Sequence, residues 1–231
     1  RLILDHLSFK LKVGDKLALV GLNGAGKTTF VKLLCRLYEP TEGKITLNGV
    51  DIRNYCYEDY LSLFSVVFQD FSLFSFPMGE NIAAGKPMHE SQIWDCLAKA
   101  GLRERVRQMP QQLHTNLYRL DEDGCNVSGG EAQKIAIARA LYRDAPFIIL
   151  DEPTAALDPE SEYEIFSAFD HLVQDKGSVF ISHRMGSCRS CHEILVLDHG
   201  RLAEHGSHED LMQENGPYRE LYDAQANCYT Q

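Results

Sequence analysis

Lys27 and Thr28 close a glycine-rich run, GLNGAGKTT at residues 21–29, whose residue types suit the binding of a polyphosphate. Glycines at Gly21, Gly24 and Gly26 open backbone conformations closed to other residues, so successive N–H groups, those of Asn23 and Ala25 included, can converge on phosphate oxygens. The spacing of Gly21, Gly26, Lys27 and Thr28 fits a phosphate-binding loop, in which the lysine reaches the outer phosphates, the Thr28 hydroxyl ligates Mg2+, and Thr29 extends the set into the next helix. A second cluster, FIILDEPTAALD at residues 147–158, puts two adjacent carboxylates at the end of an apolar run. Neighbouring side chains on a strand point to opposite faces, so they can take different jobs: Asp151 holds Mg2+ directly or through water, and Glu152 polarises an attacking water as general base or orienting group. Taken alone, the first run also reads as a glycine-rich turn before a helix, and the second as a solvated acidic turn before Pro153. Both in one chain point to nucleotide hydrolysis.

These groups work only if regular elements hold them. The apolar run Leu17 to Val20 before the glycines and the helix-compatible stretch Thr29 to Leu37 after them supply the strand–loop–helix context the loop requires. Strand-like patterns cover Leu2–Leu11, Lys16–Val20, Lys44–Leu47, Phe64–Phe68, Phe147–Leu150, Ser178–Ile181 and Glu193–Leu197. Between Phe71 and Tyr142 the pattern turns helical, with Ile93, Leu97 and Ala100 at i, i+4 and i+7. A helix is expected over Glu160–Gln174, and the tail offers two amphipathic stretches, Ser207–Gln213 and Tyr218–Gln225.

Between the two chemical clusters lies VSGGEAQKIAIARAL, residues 127–141, which resembles the LSGGQ signature and following helix of ATP-binding-cassette (ABC) ATPases. Gln69 in VVFQD matches the Q-loop of that family, Ala156 to Asp158 its D-loop, and His183 in FISHR its H-loop. The resemblance covers essentially the whole chain, with six motifs in the family's order. It implies that Ser128, Gly129 and Gly130 offer a hydroxyl, bare N–H groups and a helix dipole to the γ-phosphate bound by an opposite subunit. It further implies a γ-phosphate contact for His183, a catalytic and metal-shell place for Gln69, and a nucleotide contact for Asp158. His183 on its own also reads as a packed core histidine.

Within the family, FSLFSFPMGENI at residues 71–82 and GSHEDLMQENGPYRELYDAQ at residues 206–225 resemble the exporter type, bacterial in character. Such an ATPase uses ATP and Mg2+, pairs with a second nucleotide-binding domain as a homo- or heterodimer, and works at the cytoplasmic face of the cell membrane. Its transmembrane domains are then expected upstream of Arg1, since the chain begins inside a strand-like pattern. Phe71, Leu73, Phe74 and Phe76 are expected to divide between core and a groove for a membrane-domain coupling helix. The alternative is a soluble ABC-type ATPase not coupled to transport. A P-loop kinase would share only the cradle.

Two departures from the family pattern stand out. Val127 replaces the usual leucine, a small change of apolar volume. Glu131 replaces the usual glutamine; a carboxylate suits the first turn of a helix, yet it would repel a nearby triphosphate by about 2 kcal/mol per unit charge at ~8 Å with an effective dielectric of ~20. A slower or weaker site is the expectation. The stretch LDEDGCN at residues 120–126 is more acidic than its exporter counterparts, and altered charge partners toward the membrane domain are expected there.

Composition fits this reading. The 231 residues can bury one substantial core, and a net charge of −10 without a basic stripe argues against nucleic acid as a partner. No run reaches the ~18 apolar residues that cross a bilayer. Seven cysteines without framework spacing read as reduced thiols, and CRSCH at residues 188–192 matches a haem-attachment string only formally. The expected fold is α/β: a P-loop NTPase (RecA-like) core over residues 1–70 and 145–231, with an antiparallel β subdomain, and an inserted α-helical signature subdomain over 71–144.

The family stacks an aromatic ring on adenine from a segment that lies before Arg1, and His6 and Phe9 are placed by the strand pattern where they do not supply it. Base stacking contributes about 1–3 kcal/mol. Calorimetry on the 231-residue chain is therefore expected to give similar, weak affinities for ATP and GTP, with ATP selectively tightened once the preceding segment is added. Strong ATP preference in the short chain would place the platform within these residues.

Overall fold

A computed structural model describes residues 2–118, 124–153, 173, 175–182 and 185–228. The chain divides into two compact units. One comprises Arg1–Phe64, Ala145–Glu152 and Asp175–Gln231; the other comprises Ser65–Asp144 and Pro153–Gln174.

The strands are β1 (Lys16–Val20), β2 (Thr46–Leu47), β3 (Val50–Asp51), β4 (Phe64–Val67), β5 (Phe147–Asp151), β6 (Gly177–Ile181), β7 (Glu193–Asp198) and β8 (Arg201–Gly206). In the first unit they lie in the order β5-β6-β1-β7-β8. β1 pairs in parallel with both β6 and β7, and β5 pairs in parallel with β6, through Asp151 opposite Ile181. Leu17, Leu19, Val20, Ile148, Ile149, Val179, Ile181 and Ile194–Leu197 are all buried. Such continuous apolar runs, rather than alternating ones, are what a parallel sheet covered on both faces selects. Because these strands run the same way, the ends of β1 and β5 fall at one edge of the sheet, where open α/β folds place their ligands.

β8 folds back antiparallel on β7, with a register shift between Val196 and Leu197. Its residues alternate between exposed and half-buried, a weak pattern that sequence reading passed over. β2 and β3 form a separate antiparallel pair. The turn between them holds Asn48 and Gly49 at φ 51° and 83°, the two left-handed positions that a tight Asn-Gly hairpin turn requires.

The expected strand over Leu2–Leu11 does not form: these residues carry no regular secondary structure. Alternation makes a strand only where a neighbour pairs with it. Here the Asp5 N–H bonds the Gly200 carbonyl at 2.7 Å instead, and Asp5 holds Arg201 in an ion pair at 2.6 Å. Phe9 packs on Phe30, ring centroids 4.9 Å apart, so strand geometry is not what sets its direction.

The second unit is helical: Met78–Ala83, Glu90–Lys99, Arg103–Arg107 and Gly129–Arg143. Met78, Ile82, Ile93, Leu97, Ile135 and Ile137 are its buried core, and Ile93, Leu97 and Ala100 lie on the inward face as their spacing predicts. The tail forms His208–Gln213, capped by Ser207, and Pro217–Cys228. The helix expected over Glu160–Gln174 lies outside the described residues, Val173 excepted.

Gly177 opens β6 where the Phe147 ring lies directly over it. A Cβ there would overlap the Cδ1–Cε1 edge of that ring and lie 3.0 Å from the Lys12 carbonyl oxygen. Gly177→Ala should therefore overpack the junction and cost about 1–3 kcal/mol, read as a lowered urea midpoint with an unchanged slope. A neutral result would mean that the ring moves aside freely.

Candidate functional site

β1 delivers the chain into the glycine loop at Val20, a buried residue. Gly21, at φ 149°, comes so close to the Leu197 carbonyl that a Cβ would overlap it. The loop turns through Leu22–Ala25, closed by the Ala25 N–H on the Leu22 carbonyl at 3.1 Å. Gly26, at φ 106°, then caps the helix Lys27–Leu34 in a left-handed conformation, with no side-chain cap and no acidic residue in the first turn. The N–H groups of that turn are thus left for an anion, and the helix dipole favours one. Asn23, Gly24 and Thr28 are exposed at this point, whereas Gly21 and Ala25 are buried.

Lys27 is only 6% exposed. Its ammonium donates to the carbonyls of Gly21 at 2.8 Å and Leu22 at 3.2 Å. Burial lowers its pKa from the ordinary value, and the negative charges of Glu152 and Asp151 act in the opposite direction. These carboxylates come from the end of β5. Asp151 is the last strand residue and is 1% exposed. Glu152 leaves the strand in a left-handed conformation, φ 52°, held by its N–H on the Ile181 carbonyl at 2.9 Å. Glu152 thus sits just past the strand, not within the strand alternation that the sequence suggests. A lysine, a helix start and two carboxylates meet within one unit, and this donor set fits a magnesium-bound polyphosphate: the cradle matches the phosphates and the hard carboxylate oxygens match the metal.

The second unit gathers another group. Ser128 caps the helix Gly129–Arg143: its hydroxyl accepts the Glu131 N–H at 3.2 Å, and the Glu131 carboxylate accepts the Ser128 N–H at 2.8 Å, a reciprocal box. Ser128 and Gly129 stay exposed, with Gly130 half-buried. Gln69, directly after β4 and Phe68, lines a cavity of about 350 Å³ together with Phe71, Leu73, Tyr118, Gly129 and Gln133.

The carboxylate of Glu131 is shared between two partners. Its other oxygen accepts from the Arg105 guanidinium at 2.6 Å. Partial burial by itself raises its pKa, but the Ser128 N–H and Arg105 outweigh it and the net shift is downward. A carboxylate with an N–H on one oxygen and a guanidinium on the other presents little uncompensated charge to an anion. Sequence reading missed Arg105 because the pair is separated by 26 residues and no local pattern links them. Of the remaining expected site residues, Asp158 and His183 lie outside the described residues. Phe74 and Phe76 are 56% and 53% exposed, while Phe71 and Leu73 are half-buried, the division that an aromatic cluster beside a cavity suggests. Cys35, Cys56, Cys96, Cys125, Cys188 and Cys191 are not joined in disulfides.

Residues 4–155 match the sequence family described as ABC transporter. The chain is 40% identical over 224 residues to an ATP-dependent lipid A-core flippase of Legionella pneumophila (strain Paris), covering 96% of this chain and 38% of that protein. It is 40% identical over 226 residues to its namesake from Haemophilus influenzae (strain 86-028NP), covering 97% and 38%. A solved structure of a bacterial Atm1-family ABC exporter with ATP bound superimposes with a TM-score of 0.90 at 37% identity, over 98% of this chain and 39% of that one. The chain thus spans 38% of the length of these curated relatives.

Arg105→Ala should cost about 0.5–1 kcal/mol at pH 7, as partly exposed ion pairs do. The sign of its pH dependence follows from the lowered carboxyl pKa: the contribution is complete above the ordinary value of 4.5 and fades as the pH falls through the lower folded-state value. A double-mutant cycle of Arg105→Ala with Glu131→Gln, followed by urea unfolding across that range, checks it. Coupling that persists at the acid limit would show that packing, not charge, joins the pair.

Proposed function

The chain belongs to the ABC transporter family, and on that premise we propose that it is the ATP-hydrolysing motor of an exporter, pairing head to tail with a second such chain around two nucleotides to drive attached membrane domains. The observation that carries this reading is the meeting of Lys27, the uncapped start of its helix, and the carboxylates of Asp151 and Glu152 at one edge of the parallel sheet.

In this reading the N–H groups from Gly21 to Thr29 bind the phosphates, with Asn23, Gly24, Ala25 and Gly26 shaping the cradle. Lys27 exchanges the Gly21 and Leu22 carbonyls for phosphate oxygens. Thr28, Asp151 and Gln69 hold Mg2+, which when bound neutralises charge on the transferring phosphoryl group. Glu152 orients the attacking water and takes its proton. His183 contacts the γ-phosphate and Asp158 the shared site. Ser128, Gly129 and Gly130 present an exposed helix start to the nucleotide of the partner, where bare N–H groups and the dipole stabilise the outer phosphate.

The membrane domains belong upstream of Arg1, and the exposed pair Phe74 and Phe76 offers them an apolar contact. No helix among the described residues is long and apolar enough to cross a membrane. The working place is the cytoplasmic face of the cell membrane, where ATP is available. The alternative of a soluble ATPase uncoupled from transport finds no counterpart among the relatives named above.

Three variants and one control test the scheme. Glu152→Gln should keep ATP affinity, lose about 10²–10⁴ in turnover and accumulate an ATP-bound dimer. Lys27→Ala should weaken ATP binding by the isolated chain. Ser128→Arg should leave that binding intact and block the dimer, with Ser128→Ala as the control for the lost helix cap, a change of about 1 kcal/mol in stability. Unchanged turnover in Glu152→Gln removes Glu152 from its role, and ATP binding impaired as badly by Ser128→Arg as by Lys27→Ala removes the head-to-tail arrangement.

A further inference from the structure

Arg139, in the helix Gly129–Arg143, is a half-buried guanidinium whose partners are oxygens of uncharged groups. Its Nε donates to the Asn81 carbonyl at 2.8 Å, one terminal nitrogen to the Ser72 carbonyl at 3.1 Å, and the other to the Asn81 side-chain oxygen at 3.3 Å. Burial lowers its pKa from the ordinary value. Asn81, 2% exposed, passes the contact on: its amide nitrogen donates to the carbonyls of Phe74 at 2.9 Å and Phe76 at 3.0 Å, and its oxygen accepts the Phe74 N–H at 3.0 Å. With the Pro77 carbonyl, which the Asn81 amide nitrogen also meets at 3.4 Å, two side chains thus satisfy six backbone groups between residues 72 and 81, a segment whose exposed part includes the stacked pair Phe74 and Phe76, ring centroids 5.8 Å apart.

The same segment is tied from its other side. The Leu117 N–H donates to the Phe76 carbonyl at 3.1 Å, and the Cys125 N–H donates to the Asn116 carbonyl at 3.0 Å, three residues before Ser128. A closed circuit therefore runs from the helix start through Cys125, Asn116 and Leu117 to the aromatic pair, and back through Asn81 to Arg139 on the same helix. Desolvating a guanidinium against neutral oxygens is unfavourable compared with packing a methionine of similar length. What methionine lacks is the forked set of donors that fixes three oxygens relative to the helix.

We propose that Arg139 and Asn81 are positioning residues that lock Phe74 and Phe76 to the helix begun by Ser128, so that a displacement of that helix start reaches the aromatic pair as rigid-body motion. The proposal rests on the nucleotide-driven dimer described above, which supplies the displacement. It assigns neither residue a contact with nucleotide.

The test uses the 231-residue chain carrying Glu152→Gln, with its single tryptophan, Trp94, changed to phenylalanine and Phe76→Trp as the reporter. Light scattering reads dimer formation on addition of ATP and Mg2+, and tryptophan emission reads the loop. In the parent the emission should shift as the dimer forms. Arg139→Met and Asn81→Asp, the latter losing the two donors to the Phe74 and Phe76 carbonyls, should form the dimer within about threefold of the parental ATP concentration while the emission shift falls by at least about fivefold. Arg139→Lys should restore part of the shift. A full shift in Arg139→Met with its dimer intact overturns the proposal; if that variant fails to fold by circular dichroism, a full shift in Asn81→Asp does so. Absence of an ATP-dependent dimer in the parent overturns the dimer reading itself, and the relay with it.

Discussion

Lys27, only 6% exposed, sits at the carboxyl edge of a parallel sheet, and the surrounding architecture follows from keeping it there. A buried cation is tolerated only with good donors and counter-charge. The Gly21 and Leu22 carbonyls serve the first need, and Asp151 with Glu152 the second. Both depend on the parallel pairing of β1 and β5 with β6, which brings the loop after one strand and the carboxylates ending another to the same edge. An antiparallel arrangement of the same strands would place them at opposite ends. The ammonium is thus already held by weak carbonyl acceptors, and a triphosphate need only outcompete these.

The helical unit solves a different problem, that of presenting an exposed helix start without letting it fray. Ser128 and Glu131 satisfy each other's backbone N–H groups, and Arg105 compensates the carboxylate. The far end of the same helix is held by polar bonds as well: the Tyr142 hydroxyl donates to the Pro87 carbonyl at 2.6 Å, and Lys86 donates to the Arg143 carbonyl at 2.7 Å. Between these ends, Ile135, Ile137 and Ala138 bury the apolar face. A helix fixed along its length moves as one body, whereas a helix held only by apolar packing has more freedom to slide or rotate.

Glutamate at position 131 shows how the electrostatics of one residue depend on a neighbour far away along the chain. Considered along the chain, its charge faces an incoming phosphate and nothing else. In the folded chain it is absorbed by a cap and a guanidinium, so substitution of one residue is answered by a partner that no local motif contains. The strand expected at Leu2–Leu11 fails for a related reason: apolar alternation records a face that can be buried, while pairing needs a neighbour, and here Asp5 finds Gly200 and Arg201 instead.

The sequence by itself determined the chemistry and its local carriers. The glycine spacing before Lys27, the apolar run ending in Asp151 and Glu152, and the small residues opening a helix at Ser128 each arise from interactions within a few residues, where backbone conformation, strand burial and capping leave a readable pattern. Tertiary structure alone decided what those carriers meet. It set the parallel register that brings Lys27 to the carboxylates, the left-handed conformation in which Glu152 leaves the strand, the link from Arg105 to Glu131 and the hub of Arg139 with Asn81. These depend on contacts between residues separated by tens of positions, and a directional hydrogen bond or a charge pair across that distance constrains the types at its two ends without leaving any periodicity between them.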